Sequence, residues 1–253
     1  EFLNQVLLGE CQEWMPKLPD KSFHMVCCDL PYGTTSNRWD IIIPFDFLWK
    51  EYNRLLVDNG VVVLTASQPF TSMCVMSNLE QFRHEWIWIK NQGSNFANTV
   101  REPMKEHESV LVFSRGKWTY NKQMQERTGA GADRVKYALN WRSQSENYRD
   151  FEGREGVMKS ELRVPSSWQK FNVEKGLHPT QKPVALFEYL IKTYSSPSDL
   201  ILDNSCGSGT TGVAAINTGR NFVLIEKDPI YYEVTKKRIE ETLAKKQEDI
   251  FGN

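Results

Sequence analysis

Short apolar runs, separated by polar segments with helical spacing, organise this chain. Val6-Leu7-Leu8 is a candidate strand ending at Gly9-Glu10, and residues 11–18 fit a short helix. Met25-Val26-Cys27-Cys28 is apolar on both sides of its pleat, the pattern of a buried strand, and it closes at Asp29. A polar loop, Thr34–Asp40, follows. Over Phe45–Leu56 the residues Phe45, Leu48, Trp49, Tyr52, Leu55 and Leu56 fall near one helical face. Asn59-Gly60 is expected to end that helix, and the β-branched run Val61–Leu64 reads as another buried strand. A helix over Pro69–Leu79 comes next, then strands over Glu85–Lys90 and Ser109–Phe113. Trp86 and Trp88 share one strand face and are expected to pack.

From about 115 to 177 the periodicity fades, while charge and glycine (Gly129, Gly131, Gly153, Gly156) increase. Order resumes with a helix from Pro183 through Tyr194. A strand at 200–202, a helix from about 209, a strand over Phe222–Ile225 and a charged helix over 229–247 complete the pattern. Strands alternating with helices predict an α/β fold with a parallel, doubly wound sheet.

A length of 253 residues suits one large α/β domain with an insertion. No apolar run approaches the roughly 18 residues of a membrane helix, and no secretory pattern opens the sequence, so no membrane partner and a cytoplasmic setting are expected. The five cysteines (Cys11, Cys27, Cys28, Cys74, Cys206) are odd in number and carry no metal-ligand spacing. They read as reduced thiols packing as small hydrophobes, with Cys27 and Cys28 on opposite strand faces. The net charge of −1 excludes a uniformly basic nucleic-acid binder. Its distribution is less even, because residues 115–175 hold 13 Lys and Arg against 8 Asp and Glu. Trp118, Tyr120, Tyr137, Trp141, Tyr148 and Trp168 are interleaved with them, and that mixture suits phosphate contacts and base stacking as well as it suits a solvated insertion.

Two segments carry chemistry. Asp203-Asn204-Ser205-Cys206-Gly207-Ser208-Gly209-Thr210-Thr211-Gly212 closes a strand and opens a helix, and Gly207-x-Gly209-x-x-Gly212 formally matches a dinucleotide fingerprint. Glu226, 19 residues beyond Gly207, is placed to receive ribose hydroxyls. A nicotinamide enzyme therefore competes. Against it, the motif leaves only one further strand, Thr210-Thr211 fill the helix start, and Asp203 sets negative charge where a pyrophosphate would lie. A cationic, phosphate-free cofactor such as S-adenosylmethionine meets the acidic turn better. The second segment, Asp29-Leu30-Pro31-Tyr32, offers a carboxylate, a carbonyl aimed by the restriction that Pro31 places on Leu30, and an aromatic ring. Accepting both N–H bonds of an exocyclic amine would free its delocalised lone pair, and the charge developing on nitrogen would meet preorganised acceptors. Methyl transfer to that nitrogen needs alignment and no metal.

These residues resemble an amino-group DNA methyltransferase, the family that methylates adenine N6 or cytosine N4. Asp29-Leu30-Pro31-Tyr32 is similar to its catalytic Asp-Pro-Pro-Tyr, and Asp203–Thr211 to its cofactor turn. His178-Pro179-Thr180-Gln181-Lys182-Pro183 resembles the segment that lines the methionine end of the cofactor, and Gly9-Glu10 the Gly-Asp near its adenine. Catalytic motif first and cofactor motif last is the permuted order of the beta class. The resemblance implies a Rossmann-like methyltransferase sheet over 1–114 and 176–253, with 115–175 as a target-recognition insertion. It implies S-adenosylmethionine bound by Gly9, Glu10, Asp29, His178, Thr180, Gln181, Lys182, Asp203, Ser205, Cys206, Gly207, Ser208, Gly209, Thr210, Thr211 and Glu226.

Asp29, Leu30, Pro31 and Tyr32 would then act on a base flipped from double-stranded DNA, with Tyr32 stacking on it. Asn37 and Trp39, beside Asp40, would close over the base, and Lys136 and Arg142 would contact DNA from the insertion. Arg101, Lys105 and His107 precede a strand and could touch phosphates. Leu30 replaces the family's first proline, a position the chemistry asks for a carbonyl. Asn204-Ser205-Cys206 replaces Pro-Phe-Ala, which bears on cofactor affinity. Asp29 in place of Ser favours adenine N6. A cytosine-N4 enzyme, an enzyme acting on RNA or a protein glutamine, and an inactive DNA-binding relative are the alternatives. A homodimer and a cognate restriction endonuclease, within a restriction-modification system, are the partners such a family allows.

Overall fold

The computed structural model describes residues 2–35, 37, 40–137, 140–143, 154–157 and 160–251. In chain order the elements of the first half are β1 (Gln5–Leu8), α1 (Cys11–Trp14), β2 (Phe23–Cys28), α2 (Phe45–Leu55), β3 (Leu56–Ala66), α3 (Phe70–Ser77), β4 (Phe82–Ser94) and β5 (Lys105–Phe113). Then come β6 (Gln125–Glu126), α4 (Ala130–Lys136), β7 (Asn140–Ser143), β8 (Arg154–Val157), β9 (Leu162–Arg163) and β10 (Trp168–Phe171). The chain continues through α5 (Val184–Tyr194), β11 (Leu200–Asp203), α6 (Thr210–Thr218), β12 (Asn221–Glu226) and α7 (Pro229–Phe251). It forms two compact units, residues 1–121 with 167–253, and Lys122–Ser166.

The larger unit is built on one eight-stranded sheet in the order β1-β12-β11-β2-β3-β5-β4-β10. Successive residues of its central strands face opposite sides. Val26, Cys28, Val62 and Leu64 enter a core closed by Leu48, Tyr52 and Leu55 of α2 and Phe70 of α3. Met25, Cys27, Val61 and Val63 enter the other, closed by Leu190 of α5, Ala214 of α6 and Ile239 of α7. Burial of both faces is why β2 and β3 read as unbroken apolar runs. The five cysteines are free and buried, and Cys27 and Cys28 divide between the two cores as their pleat requires.

Several bounds differ from the sequence reading. β5 runs antiparallel to both β3 and β4, so the sheet is mixed though mostly parallel. The β4–β5 connection is a hairpin, which needs no crossover helix and therefore allows the reversal. Asn59-Gly60 lies inside β3. The register jumps there, from Phe23 opposite Leu56 to Met25 opposite Val61, so a bulge absorbs the turn-forming pair. Lys105 and His107 belong to β5 and do not precede it. β10 pairs with β4 at the sheet edge, so the separate unit Lys122–Ser166 is narrower than the 115–175 segment. Trp86 and Trp88 are buried, and their indoles donate to Tyr194 Oη (2.5 Å) and to the Phe171 carbonyl (2.9 Å). Within the smaller unit β6 pairs with β9 and β7 with β8, both antiparallel. Among the described residues no helix is long and apolar enough to cross a membrane.

Candidate active site

β2 and β11 lie side by side and parallel at the centre of the sheet. From β2 the chain moves outward to β3 on one side, and from β11 to β12 on the other, which opens a crevice at their carboxyl ends. Asp29 follows β2, Asp203 ends β11, Glu226 ends β12 and Gly9 follows β1, so segments far apart in sequence converge there. The result is a cavity of about 1050 Å3. Every residue expected to be catalytic or to hold the cofactor lines it, Gly209 excepted.

Asp29 is held by three donors. Oδ1 accepts the Tyr32 hydroxyl at 2.8 Å and the Thr65 hydroxyl, and Oδ2 accepts Lys182 Nζ at 2.8 Å. Lys182 also lies 3.4 Å from Glu108 Oε2, and Glu108 Oε1 accepts Lys90 Nζ. Two carboxylates and two ammonium groups thus alternate across β2, β4, β5 and the segment before α5. Burial alone would lower the Lys182 ammonium, but Asp29 and Glu108 outweigh it and hold it above the usual lysine range. Burial would likewise raise Glu108, yet Lys182 and Lys90 keep its carboxyl below the ordinary value. Thr65, Lys90 and Glu108 carried no readable motif. Only the strand register sets Thr65 against Asp29 and links Lys90 through Glu108 to Lys182.

The Tyr32 ring stacks on Phe70, with centroids 5.0 Å apart and planes 24° apart, while Lys182 Nζ lies 5.3 Å from its centroid. Leu30 is 4% exposed and packs in the core, which fixes the backbone that presents its carbonyl. Ser205 joins the two motifs, since its hydroxyl donates to the Asp29 carbonyl (3.2 Å) and lies 3.1 Å from Cys28 Sγ.

The glycines of the cofactor turn divide their work. Gly207 lines the cavity at φ +53°, a conformation that suits glycine. A Cβ on Gly209 (φ +79°) would stand 2.7 Å from Thr235 Cγ2, and one on Gly212 would stand 2.5 Å from Ile239 Cδ1. Those two let α7 close against the turn. Thr235 Oγ1 donates to the Gly207 carbonyl (2.7 Å), and Arg238 Nη1 donates to the Ser208 carbonyl (3.0 Å) and Thr210 Oγ1 (3.2 Å). Both belong to a helix that read simply as charged.

Asp203 accepts the Thr211 hydroxyl and the Ser205 amide (3.1 Å), yet burial still pushes its carboxyl up to about 6. Burial also raises Glu226, whose oxygens take the amides of Gly207 and Asp228, each at 2.8 Å. Each oxygen keeps a lone pair for a hydroxyl donor. Burial lowers His178, whose ring meets Tyr231 edge-on at 4.3 Å and accepts the Thr180 amide through Nδ1 (3.2 Å). Gln181 is tied to Glu174 (3.2 Å) and accepts the Leu177 amide (3.2 Å). Thiol Cys206 is raised well above its ordinary value by burial and is inert as a nucleophile. Glu10, Asp203, Glu226 and Asp228 outnumber Lys227, which itself lies 3.7 Å from Glu10, and give the wall here an acidic balance, while Lys182 is committed to carboxylates. That donor set fits a cationic sulfonium cofactor with ribose hydroxyls and opposes a pyrophosphate.

Of the remaining predicted residues, Asp40 and Lys105 also line the cavity. Asp40 is buried and accepts the amides of Gly33 (2.8 Å), Thr34 (2.9 Å) and Thr35 (2.7 Å), which shapes the loop after the catalytic turn. Asn37 is exposed and donates to Thr35 Oγ1 at 3.0 Å. Trp39 lies outside the described residues. Lys136 is exposed in the last turn of α4, with Nζ 5.1 Å from the Tyr137 ring centroid. Arg142 is in β7, opposite Glu155 of β8, and its side chain is outside the described residues.

With this geometry in place, comparison with known proteins defines the family. Residues 23–237 match the N6/N4 methyltransferase family, described as DNA methylase, and the chain belongs to it. The type II methyltransferase M.HinfI of Haemophilus influenzae is 28% identical, over 95% of this chain and 69% of that protein. Among solved structures, the M1.HpyAVI–SAM complex superposes with a TM-score of 0.61 and 25% identity, covering 92% of this chain and 98% of that one. The cytosine-N4-specific PvuII DNA methyltransferase superposes with a TM-score of 0.64 over 94% of this chain and 90% of that one, at 14% identity, and so shares the fold. The chain is thus an S-adenosylmethionine-dependent DNA methyltransferase of the N6/N4 family.

Proposed function

We propose that the enzyme methylates N6 of an adenine flipped out of duplex DNA, by direct transfer. What carries this reading is the Asp29 carboxylate beside the Leu30 carbonyl, in one cavity with the acidic cofactor turn. A carboxylate has about four acceptor positions. The hydroxyls of Tyr32 and Thr65 and the Lys182 ammonium take three. The fourth receives one N–H of the target amine, and the Leu30 carbonyl receives the other. Two accepted bonds pull the nitrogen toward a pyramidal shape and localise its lone pair. The bound cofactor supplies an electrophilic methyl on a sulfonium. Asp29 stabilises the positive charge that appears on nitrogen and takes up the departing proton, which its partly exposed side chain can release to water.

Phe70 holds Tyr32 in place and fixes where a base plane can rest. The choice of adenine over cytosine is supported by Asp29, where a serine would favour cytosine N4. The smaller unit, Lys122–Ser166, with Lys136 and Arg142, takes the part of target recognition in this reading. The test is incubation with S-adenosylmethionine and mixed-sequence DNA, followed by digestion to nucleosides and mass spectrometry. N6-methyladenine is expected. N4-methylcytosine would keep the mechanism and overturn the base, and no modified base would overturn both.

A further inference from the structure

The β4–β5 hairpin ends in an apolar knob that the methyl-transfer chemistry does not use. Phe96 is 80% exposed and Val100 is 92% exposed. Isolated apolar side chains on a surface are ordinary, but these two sit on a turn built to hold them. Asn95 adopts the left-handed conformation (φ 70°) and leads into a 3-10 turn over Phe96–Asn98. The amides of Asn98, Thr99, Arg101 and Glu102 bond back to the carbonyls of Asn95, Phe96 and Asn98 at 2.9–3.2 Å. The Asn95 side chain ties across the turn to Glu102, and the Thr99 hydroxyl returns to the Phe96 carbonyl at 2.8 Å. Underneath, Met104 fills the space that a side chain at Gly93 would need.

The position of the knob says what it meets. Gln92, Asn95, Asn98 and Lys105 of the same hairpin line the cavity that holds Asp29. A base reaches Asp29 only after leaving its duplex, and the vacated stack is then favourably filled by an apolar or aromatic group. We propose that Phe96 and Val100 form a wedge that enters the DNA base stack and occupies the space left by the target base. This rests on the flipped-base reading given above. Exposed Arg101, one residue beyond Val100, is positioned to meet a phosphate of the bent strand.

The test compares wild type with Phe96→Ala/Val100→Ala on two duplexes carrying the site found by sequencing methylated DNA. One is fully paired. In the other the base opposite the target is replaced by an abasic site, so extrusion costs little. Both residues are exposed, and the variant is expected to fold and to bind S-adenosylmethionine as wild type does. Its turnover on the paired duplex is expected to fall about tenfold, the loss of roughly one stacking contact, and to change less than about twofold on the abasic duplex. Equal activity on the paired duplex, or an equal loss on both, would overturn the wedge. So would a change in sedimentation with no difference between substrates, which would assign the knob to a second copy of the chain. Failure of that sequencing to find any methylated site would instead overturn the reading of function beneath it.

Discussion

Lys182 Nζ lies 2.8 Å from Asp29 Oδ2, so the last cation of the His178–Pro183 segment grips the first residue of the catalytic turn. The segment was expected to hold the cofactor. Its lysine lines the cavity and also completes a buried chain of alternating charges with Asp29, Glu108 and Lys90. Removing one member of such a chain leaves the others charged and poorly solvated. Lys182→Met is therefore expected to lower unfolding stability by about 3 kcal/mol. Urea denaturation at pH 7.5 is the check, and an unchanged midpoint would contradict the pairing.

Asp29→Asn keeps shape and an acceptor oxygen but loses the charge proposed to stabilise the reacting nitrogen. Turnover is expected to fall by about 10²–10³-fold, the range seen when one preorganised electrostatic contact is lost. Cofactor affinity, set by the acidic turn, should change little. Single-turnover methylation and calorimetric titration of S-adenosylmethionine separate the two. Wild-type turnover in this variant would remove Asp29 from the reaction.

How much of this was legible in the sequence follows from what the patterns encode. β2, β3, β11 and β12 announce themselves because strands buried on both faces must be apolar throughout, and Asp29 and Gly207 stand out at their ends. The antiparallel direction of β5 left no trace, because a strand's direction depends on its connection and not on its residues. Thr65, Lys90 and Glu108 were silent for a related reason. Thr65 ends an apolar run, while Lys90 and Glu108 sit among other polar residues of β4 and β5. Pairing alone sets Thr65 against Asp29, Glu108 against Lys182 and Lys90 against Glu108. Thr235 and Arg238 were hidden in a helix whose charge masked two inward-facing contacts with the glycine turn. Tyr32 was legible as an aromatic at the site but not as the partner of Phe70, which is 38 residues away on α3.

Leu30 separates a backbone role from a side-chain one. Its carbonyl is the one proposed to receive the target amine, while its side chain is buried in the core. Leu30→Ala is expected to cost about 2–4 kcal/mol of stability through the cavity it leaves. At temperatures well below unfolding, turnover should remain within a few-fold of wild type. Thermal unfolding and initial rates at 20 °C check the two halves, and a collapse in rate without a loss of stability would give the side chain itself a catalytic part.

Asp203 is expected to link pH to both stability and cofactor binding. Burial raises its carboxyl to about 6 in the folded chain, from 3.8 in the ordinary state. A raised acid stabilises the fold where the folded form holds the extra proton. That contribution is complete below the unfolded value and is lost as pH rises through about 6. Asp203→Asn has no such proton to lose. Wild type should therefore lose about 2 kcal/mol relative to this variant between pH 4 and pH 7.5, read by urea unfolding at both pH values. The same ionisation runs the other way for the ligand, because a cationic sulfonium prefers the carboxylate over the neutral acid. S-adenosylmethionine should bind wild type more tightly at pH 7.5 than at pH 5, and the variant should show little of that gain. A pH-independent affinity in wild type would mean that the charge of Asp203 does not reach the cofactor, and that its place at the cavity wall serves only to shape the glycine turn.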